Sequence, residues 1–419
     1  MHHFEYRSGR LYAEDVDVAA LADRIGSPFY VYSEATLRRH MRVFHKAFEG
    51  ADPLVAFSVK ANSNIAVLKI LQSEGSGADV VSGGELQRAL KAGIAPDKIV
   101  FSGIGKTRDE VKAALNAGIY QFNVESAPEL EALNALALET GKSAPVALRV
   151  NPDVAAGGHD KISTGRKEDK FGVAWEEARG LYGRAREMKG VDVVGVDLHI
   201  GSQIADLAPF EAAFSKAAQL IADLRADGCS IDRLDLGGGL GIPYGDAATP
   251  PHPNDYAALI KRLTAPLGVR LIFEPGRMIC GNAGILVTRV IFVKEGVARK
   301  FLIVDAAMND LIRPALYDAH HEIIPVIQND EAPRTTYDVV GPVCESSDFF
   351  AKARALPEMK EGDLAAIMSA GAYGAVQASQ YNTRPLIPEV LVNSDRHAVI
   401  RRRPSFDEMI ALEASPDWL

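Results

Sequence analysis

From Leu54 onward, short runs of β-branched and aromatic residues alternate with longer, alanine-rich stretches whose apolar positions recur every three or four residues. A short apolar run without alternation predicts a parallel strand buried on both faces, and the longer stretches predict amphipathic helices. Eight strands are expected: VAFSVK (55–60), ADVVS (78–82), KIVFSG (98–103), YQFNVES (120–126), PVALRVN (145–151), VVGVDLHIGS (193–202), RLDLGG (233–238) and RLIFEPG (270–276). Good helix formers fill the stretches between them, among these Gly84–Ala92, Arg108–Ala117, Pro128–Thr140 and Pro209–Asp227. Eight repeats of strand then helix predict a closed, TIM-like (β/α)8 barrel. An open doubly wound sheet is the structural alternative, but no Gly-x-Gly-x-x-Gly follows the first strand.

After Arg277 the rhythm changes. Ile285–Val293, Phe301–Val304, Thr335–Val340 and Leu364–Met368 read as strands with turn chemistry between them and little helix. The expected organisation is an N-terminal segment (1–32) packing with a β domain, a barrel (33–277) and a mostly β, sandwich- or barrel-like C-terminal domain (278–419). The strand-like Phe29–Tyr32 precedes the first barrel strand and is a candidate to pair into it. The connection after the fifth strand, Asp153–Lys170, has Ile162 as its only large apolar side chain and leaves the face where barrel active sites lie, so a lid is expected.

Composition narrows the class. A net charge of −9 argues against a nucleic-acid or anionic-membrane surface, and no apolar stretch approaches the ~20 residues of a membrane span. The N-terminus lacks a secretory pattern, and three scattered cysteines (Cys229, Cys280, Cys344) give no disulfide framework, so a cytoplasmic enzyme acting on a small molecule is expected.

The C-termini of barrel strands converge on one mouth. Lys60 ends strand one, His199 and Ser202 end strand six, Gly237-Gly238-Gly239 ends strand seven and Glu274-Pro-Gly276-Arg277 ends strand eight. Each has an ordinary structural explanation alone: a solvated lysine, a tight glycine turn, an ion-paired glutamate. Together they resemble a site for pyridoxal phosphate, which needs a lysine amine, a phosphate cradle and a partner for its ring nitrogen. Burial would free the Lys60 amine as a nucleophile, and the glycine N–H groups (with Gly276 and Ser202) would take the phosphate. Glu274 would keep the ring nitrogen protonated while His199 lies against the ring.

The motifs SVKAN, ADVVSGGEL, FSGIGK, FNVES, DKFGV, HIGSQ, DLGGGLGIPY, EPGR, NDLIRPALY, GPVCESSD and GAYG run through nearly the whole chain. On these the chain resembles the diaminopimelate decarboxylase family, in the alanine-racemase-like class of pyridoxal-phosphate enzymes. The resemblance implies decarboxylation of meso-2,6-diaminopimelate to L-lysine, the last step of lysine biosynthesis, in a homodimer with shared active sites. It assigns Lys60, His199 and Cys344 to catalysis, with Cys344 as the proton donor. Lys60, His199, Ser202, Gly238, Gly239, Glu274, Gly276, Arg277 and Tyr373 would bind the cofactor. Arg277, Arg313 and Tyr317 would clamp the distal carboxylate, Glu345 would receive the distal ammonium, and Tyr373 would serve both cofactor and substrate. Asp79 and Arg149 are expected to pair near Lys60. No metal is expected, since a metal-dependent hydrolase needs paired ligands and His199 is the only histidine at a barrel strand tip. The nearest rivals are ornithine, arginine or carboxynorspermidine decarboxylases of the same fold, which would lack the clamp. A racemase would place arginine where Glu274 stands, and a non-catalytic homologue would have lost Lys60 or Cys344.

Overall fold

Each of the eight apolar runs forms a strand: Leu54–Ser58, Gly77–Val80, Ile99–Phe101, Gln121–Val124, Ala144–Asn151, Val191–Asp197, Arg233–Asp235 and Arg270–Phe273. The computed structural model describes residues 2–155, 164–166, 168–245, 249–329 and 331–419. The strands pair in parallel in chain order, the fourth also pairs with the fifth, and the eighth pairs with the first, so the ring closes. Every residue of the first four strands is buried, which is why their sequences run apolar instead of alternating.

Serines at the strand ends start the helices that follow. Ser82 accepts the Glu85 N–H ahead of Gly83–Lys91, and Ser126 accepts the Glu129 N–H ahead of Ala127–Glu139. Thr107 and Glu110 form a reciprocal capping box on Arg108–Ala117, which ends at Gly118 in the left-handed region. Each cap satisfies backbone donors that the helix leaves open, and each sets where chain leaves the barrel mouth.

The chain divides into two compact units. One comprises Arg38–Pro243 with Ala247–Ile279 and holds the barrel. The other comprises Met1–Leu37, Tyr244–Asp246 and Cys280–Leu419. Its long strand Gly284–Glu295 pairs with Lys300–Val304, with Leu364–Ile367 and with Phe29–Ser33. Phe29–Ser33 therefore does not join the barrel. It lies between Gly284–Glu295, antiparallel, and Glu389–Asn393, parallel. The physical reason is closure: strand one of the barrel already has strands two and eight on its edges, so no edge is open to an added strand. Strands Phe349–Pro357 and Arg396–Arg401 and the N-terminal hairpin Phe4–Arg7/Arg10–Ala13 complete elements that the apolar pattern does not single out.

The expected lid falls in part (156–163 and 167) outside the described residues. At its base, Val154 N–H donates to the Gly165 carbonyl (2.9 Å) and Thr164 Oγ1 donates to the His199 carbonyl (2.9 Å). No helix among the described residues is long and apolar enough to cross a membrane.

Candidate active site

Strand one ends at Ser58, and Lys60 sits in a single 3-10 turn, Val59–Ala61. Its side chain is one-third exposed instead of enclosed, and Nζ lies 3.0 Å from Asp79 Oδ2 on strand two. Ser58 Oγ donates to the same oxygen at 2.6 Å, and Asp79 is wholly buried. The expected pairing of Asp79 with Arg149 does not occur. Arg149, on strand five, reaches Glu125 Oε1 (3.1 Å) and the His199 carbonyl (3.3 Å), with its guanidinium 4.9 Å from the Phe171 ring centre. Each charge is taken by a neighbouring strand, because strands two and five are not adjacent in the ring. Glu125 is further held by the N–H groups of Gly103 (2.9 Å) and Gly172 (3.1 Å).

His199 Nδ1 accepts the Gly238 N–H at 3.1 Å. Burial, with Arg149 and Lys60 nearby, pushes this imidazole well below its ordinary pKa, so the ring is neutral and its proton sits on Nε2. The glycines of strand seven are required chiefly by close packing of strand ends. A Cβ on Gly237 would lie 2.6 Å from His199 Nδ1, and one on Gly238 would lie 2.4 Å from the Glu274 carbonyl oxygen. Gly237 N–H is spent on Asp235 Oδ1 (3.0 Å) and Gly238 N–H on His199, whereas Gly239 N–H makes no hydrogen bond among the described residues. The anion cradle foreseen from three glycines thus narrows to Gly239 and its surroundings. Arg277, buried on the turn after strand eight, donates through Nε (3.3 Å) and Nη2 (3.1 Å) to Ser202 Oγ.

Glu274 Oε1 accepts from Ser102 Oγ (3.0 Å) and Asn123 Nδ2 (3.2 Å). Beside it lie Asp197 and Asp235, the carboxylate oxygens of all three within 4.8 Å of one another and all buried. Burial raises the pKa of each, and each carboxylate adds to its neighbour's rise. Ionisation of all three together is thereby disfavoured. Acidic groups so arranged are also a candidate for a metal, which the sequence reading did not anticipate, but the amide of Asn123 already bridges Asp235 Oδ2 (3.1 Å) and Glu274 Oε1.

In the second unit Arg313 is buried and donates to Tyr244 Oη (3.2 Å) and to His321 Nε2 (2.7 Å). His321 Nδ1 in turn meets the Met368 carbonyl at 2.8 Å, which leaves Nε2 as the acceptor. Tyr317 Oη takes a long bond from Gln377 (3.4 Å), and Tyr373 holds a left-handed backbone at φ 55°. Such a conformation is uncommon for a bulky residue and is concentrated at functional positions. Cys344 and Glu345 are exposed. The Cys344 N–H is held by Asn382 Oδ1 (2.8 Å), and hydrogen bonds from Ser347 and Tyr381 depress the Glu345 carboxyl.

The sequence reading therefore locates Lys60, His199, Ser202, Gly238, Gly239, Glu274 and Arg277 at the ends of barrel strands one, six, seven and eight. It passed over Ser102, Asn123, Asp197 and Asp235, each a buried polar residue set in an apolar strand or at its end. Tyr244 and His321, which flank Arg313, were also passed over. Tyr244 is the last residue of the GIPY motif, so a signal was present. His321 had none.

The family described as pyridoxal-dependent decarboxylase, pyridoxal binding domain, matches residues 34–281. Diaminopimelate decarboxylase of Haemophilus influenzae is 50% identical over 99% of this chain and 100% of its own length. The crystal structure of diaminopimelate decarboxylase from M. jannaschii superposes with a TM-score of 0.95 at 38% identity, covering 100% of this chain and 99% of that one. That of the Helicobacter pylori enzyme complexed with L-lysine has a TM-score of 0.91 at 41% identity, over 94% of this chain and 99% of that one.

Proposed function

The chain belongs to the diaminopimelate decarboxylase family, and on that premise we infer that it removes carbon dioxide from meso-2,6-diaminopimelate to yield L-lysine, using pyridoxal phosphate. The observation that carries the reading is the set at the barrel mouth: the Lys60 amine on its buried carboxylate, the open Gly239 N–H and the Glu274 carboxyl with a free oxygen. An amine, an anion cradle and an acid for a ring nitrogen are the groups pyridoxal phosphate requires, so the residues fit it. When bound, the cofactor supplies an electron-accepting ring that stabilises the charge left as carbon dioxide departs.

The protein's own groups do the rest. Lys60 would offer the amine that anchors the cofactor, and Asp79, 3.0 Å from Nζ, would position it. Glu274 would be the partner of the ring nitrogen, its ionisation opposed by burial until a positive charge lies beside it. His199, neutral and fixed through Nδ1, presents an uncharged ring face. Ser202, Gly239, Gly276 and Tyr373 would hold the phosphate, Gly238 would serve the cofactor by fixing His199, and Arg277 would act through Ser202. Arg277, Arg313 and Tyr317 would grip the distal carboxylate and Glu345 the distal ammonium, with Tyr373 between cofactor and substrate. Cys344 would return the proton to the carbon that lost its carboxylate. Leaving these arginines without the carboxylate costs roughly 1–3 kcal/mol, about tenfold or more in selectivity over a simple diamino acid.

We further propose a homodimer in which Cys344 and Glu345 complete the partner's site. Their exposure supports this: a proton donor and an ammonium receptor lying open on one chain suit a site finished by a second copy. The proposed compartment is the cytoplasm, whose reducing conditions keep the Cys344 thiol competent.

Carbon dioxide release from meso-diaminopimelate, ornithine, arginine and lysine, with and without cofactor, tests the assignment. Release from diaminopimelate alone is expected, with Arg313→Ala losing at least tenfold on it while ornithine stays poor. Borohydride reduction should tag Lys60. A tag elsewhere, or equal losses on all substrates, overturns the reading. For the shared site, mixing Lys60→Ala with Cys344→Ala chains should restore activity, and none recovered after proven subunit exchange would exclude it.

A further inference from the structure

Glu274 is fixed through one oxygen only. Oε1 accepts from Ser102 Oγ (3.0 Å) and Asn123 Nδ2 (3.2 Å), whereas Oε2 makes no hydrogen bond among the described residues. The donors come from the end of strand three and from strand four, on the far side of the ring from strand eight, so they reach Glu274 across the barrel interior. We propose that Asn123 and Ser102 are positioning residues for Glu274, tying down Oε1 so that Oε2 is offered, as an ionised acceptor, to the cofactor's ring nitrogen. The proposal rests on the reading of Glu274 as that nitrogen's partner.

Three features of the geometry support it. The orientation of the Asn123 amide is set by Gln121, whose Nε2 donates to Asn123 Oδ1 at 2.7 Å, leaving the two Nδ2 hydrogens for the acidic side. Those hydrogens are shared among Asp235 Oδ2 (3.1 Å), Glu274 Oε1 (3.2 Å) and Ser102 Oγ (3.2 Å), so Asn123 ties Glu274 to both of its polar neighbours. All of these side chains are buried, so no bulk water stands ready to replace a lost donor. Donors aimed at a carboxylate favour its ionised form, and so oppose the rise that burial and Asp235 impose on Glu274. A protonated Glu274 cannot pair with a protonated ring.

The test compares binding of two ligands by the apoprotein: pyridoxal phosphate, and its analogue with carbon at the ring-nitrogen position. Dissociation constants are read from absorbance or fluorescence titration for wild type, Ser102→Ala, Asn123→Ala and Glu274→Gln, each checked for folding by thermal melting. The analogue cannot use Glu274, so each variant should lose about tenfold on pyridoxal phosphate, the loss of one hydrogen bond to an ionised group, and little on the analogue. Equal losses on both ligands mean a structural role and overturn the proposal, as does no loss on either. Ser102→Ala removes only a hydroxyl, so it decides the matter if Asn123→Ala does not fold. If Glu274→Gln shows the selective loss and the other two do not, only this proposal falls. If Glu274→Gln shows none, the ring-nitrogen reading falls with it.

Discussion

Replacing Gly238 with alanine should disturb the site without touching any reactive group. The added Cβ would stand 2.4 Å from the Glu274 carbonyl oxygen, where Cβ contacts do not fall below 3.0 Å, so the two strand ends must part by at least the difference, 0.6 Å. The obstructing atom is backbone, and it is anchored. Glu274 N–H donates to the Gly237 carbonyl at 2.7 Å, and the Pro275 carbonyl accepts the Ser58 N–H at 3.1 Å. Relief must stretch those bonds or tilt the tip of strand eight, and overpacking of this kind costs about 1–3 kcal/mol. For a unit of this size that is a fall in Tm of roughly 3–10 °C. The Glu274 carboxyl moves with its backbone, and sites of this kind tolerate displacements of only about 0.5 Å, so at least tenfold weaker cofactor binding is expected. Differential scanning calorimetry of the apoprotein and cofactor titration give the two readouts. A variant that melts within a degree of wild type and binds pyridoxal phosphate equally well would refute the packing argument for the strand-seven glycines.

Gly180 should behave in the opposite way: it lies within the helix Trp175–Arg186 with nothing within 4 Å of an added Cβ, so Gly180→Ala should stabilise by about 0.5–1 kcal/mol in the same calorimetry. Arg149→Ala strands the buried Glu125 carboxylate with only two backbone donors, and should cost roughly 3 kcal/mol in a denaturant melt, whereas Glu125→Gln together with Arg149→Met should recover part of that loss. Burial, with Asp79 adding to it, raises the Glu85 carboxyl to about 7, above the roughly 4.3 of an unfolded chain. The folded state thus binds a proton that the unfolded state releases, a contribution complete below about pH 4 and lost as pH rises through 7. Glu85→Gln keeps an acceptor for the Val81 N–H (2.8 Å), and should match wild-type apoprotein near pH 4 but exceed it by roughly 3–4 kcal/mol at pH 8; a gap that does not change with pH would contradict this.

The barrel could be read from sequence because parallel strands buried on both faces leave unbroken apolar runs, and capping residues such as Ser82, Thr107 and Ser126 mark the helices between them. The second unit was less legible. Its strands Phe349–Pro357 and Arg396–Arg401 are half exposed and carry charges, so no clean pattern survives. The partners of Phe29–Ser33 lie more than 250 residues away, beyond any local signal. In the site, the residues just beyond the ends of strands one, six, seven and eight stood out, but polar residues set within an apolar run or closing one did not. Asn123 in QFNV and Asp235 in RLD look like interruptions of apolar runs; Asp235 meets Glu274 from the neighbouring strand, whereas only closure of the ring brings Asn123 to it. Asp79 and Arg149 both stand at strand tips, but these two charges are met by groups from adjoining strands, Lys60 and Glu125.

The position of Phe29–Ser33 between two late strands bears on how the protein is made. Its final hydrogen-bonding partner ends at Asn393, some 360 residues downstream. At synthesis rates of about 5–20 residues per second, this apolar pentapeptide waits roughly 20–70 s after leaving the ribosome before its last edge is covered. Throughout that interval it is a bare template for other nascent chains, so yield in rapid overexpression should depend on whatever shields the first thirty residues.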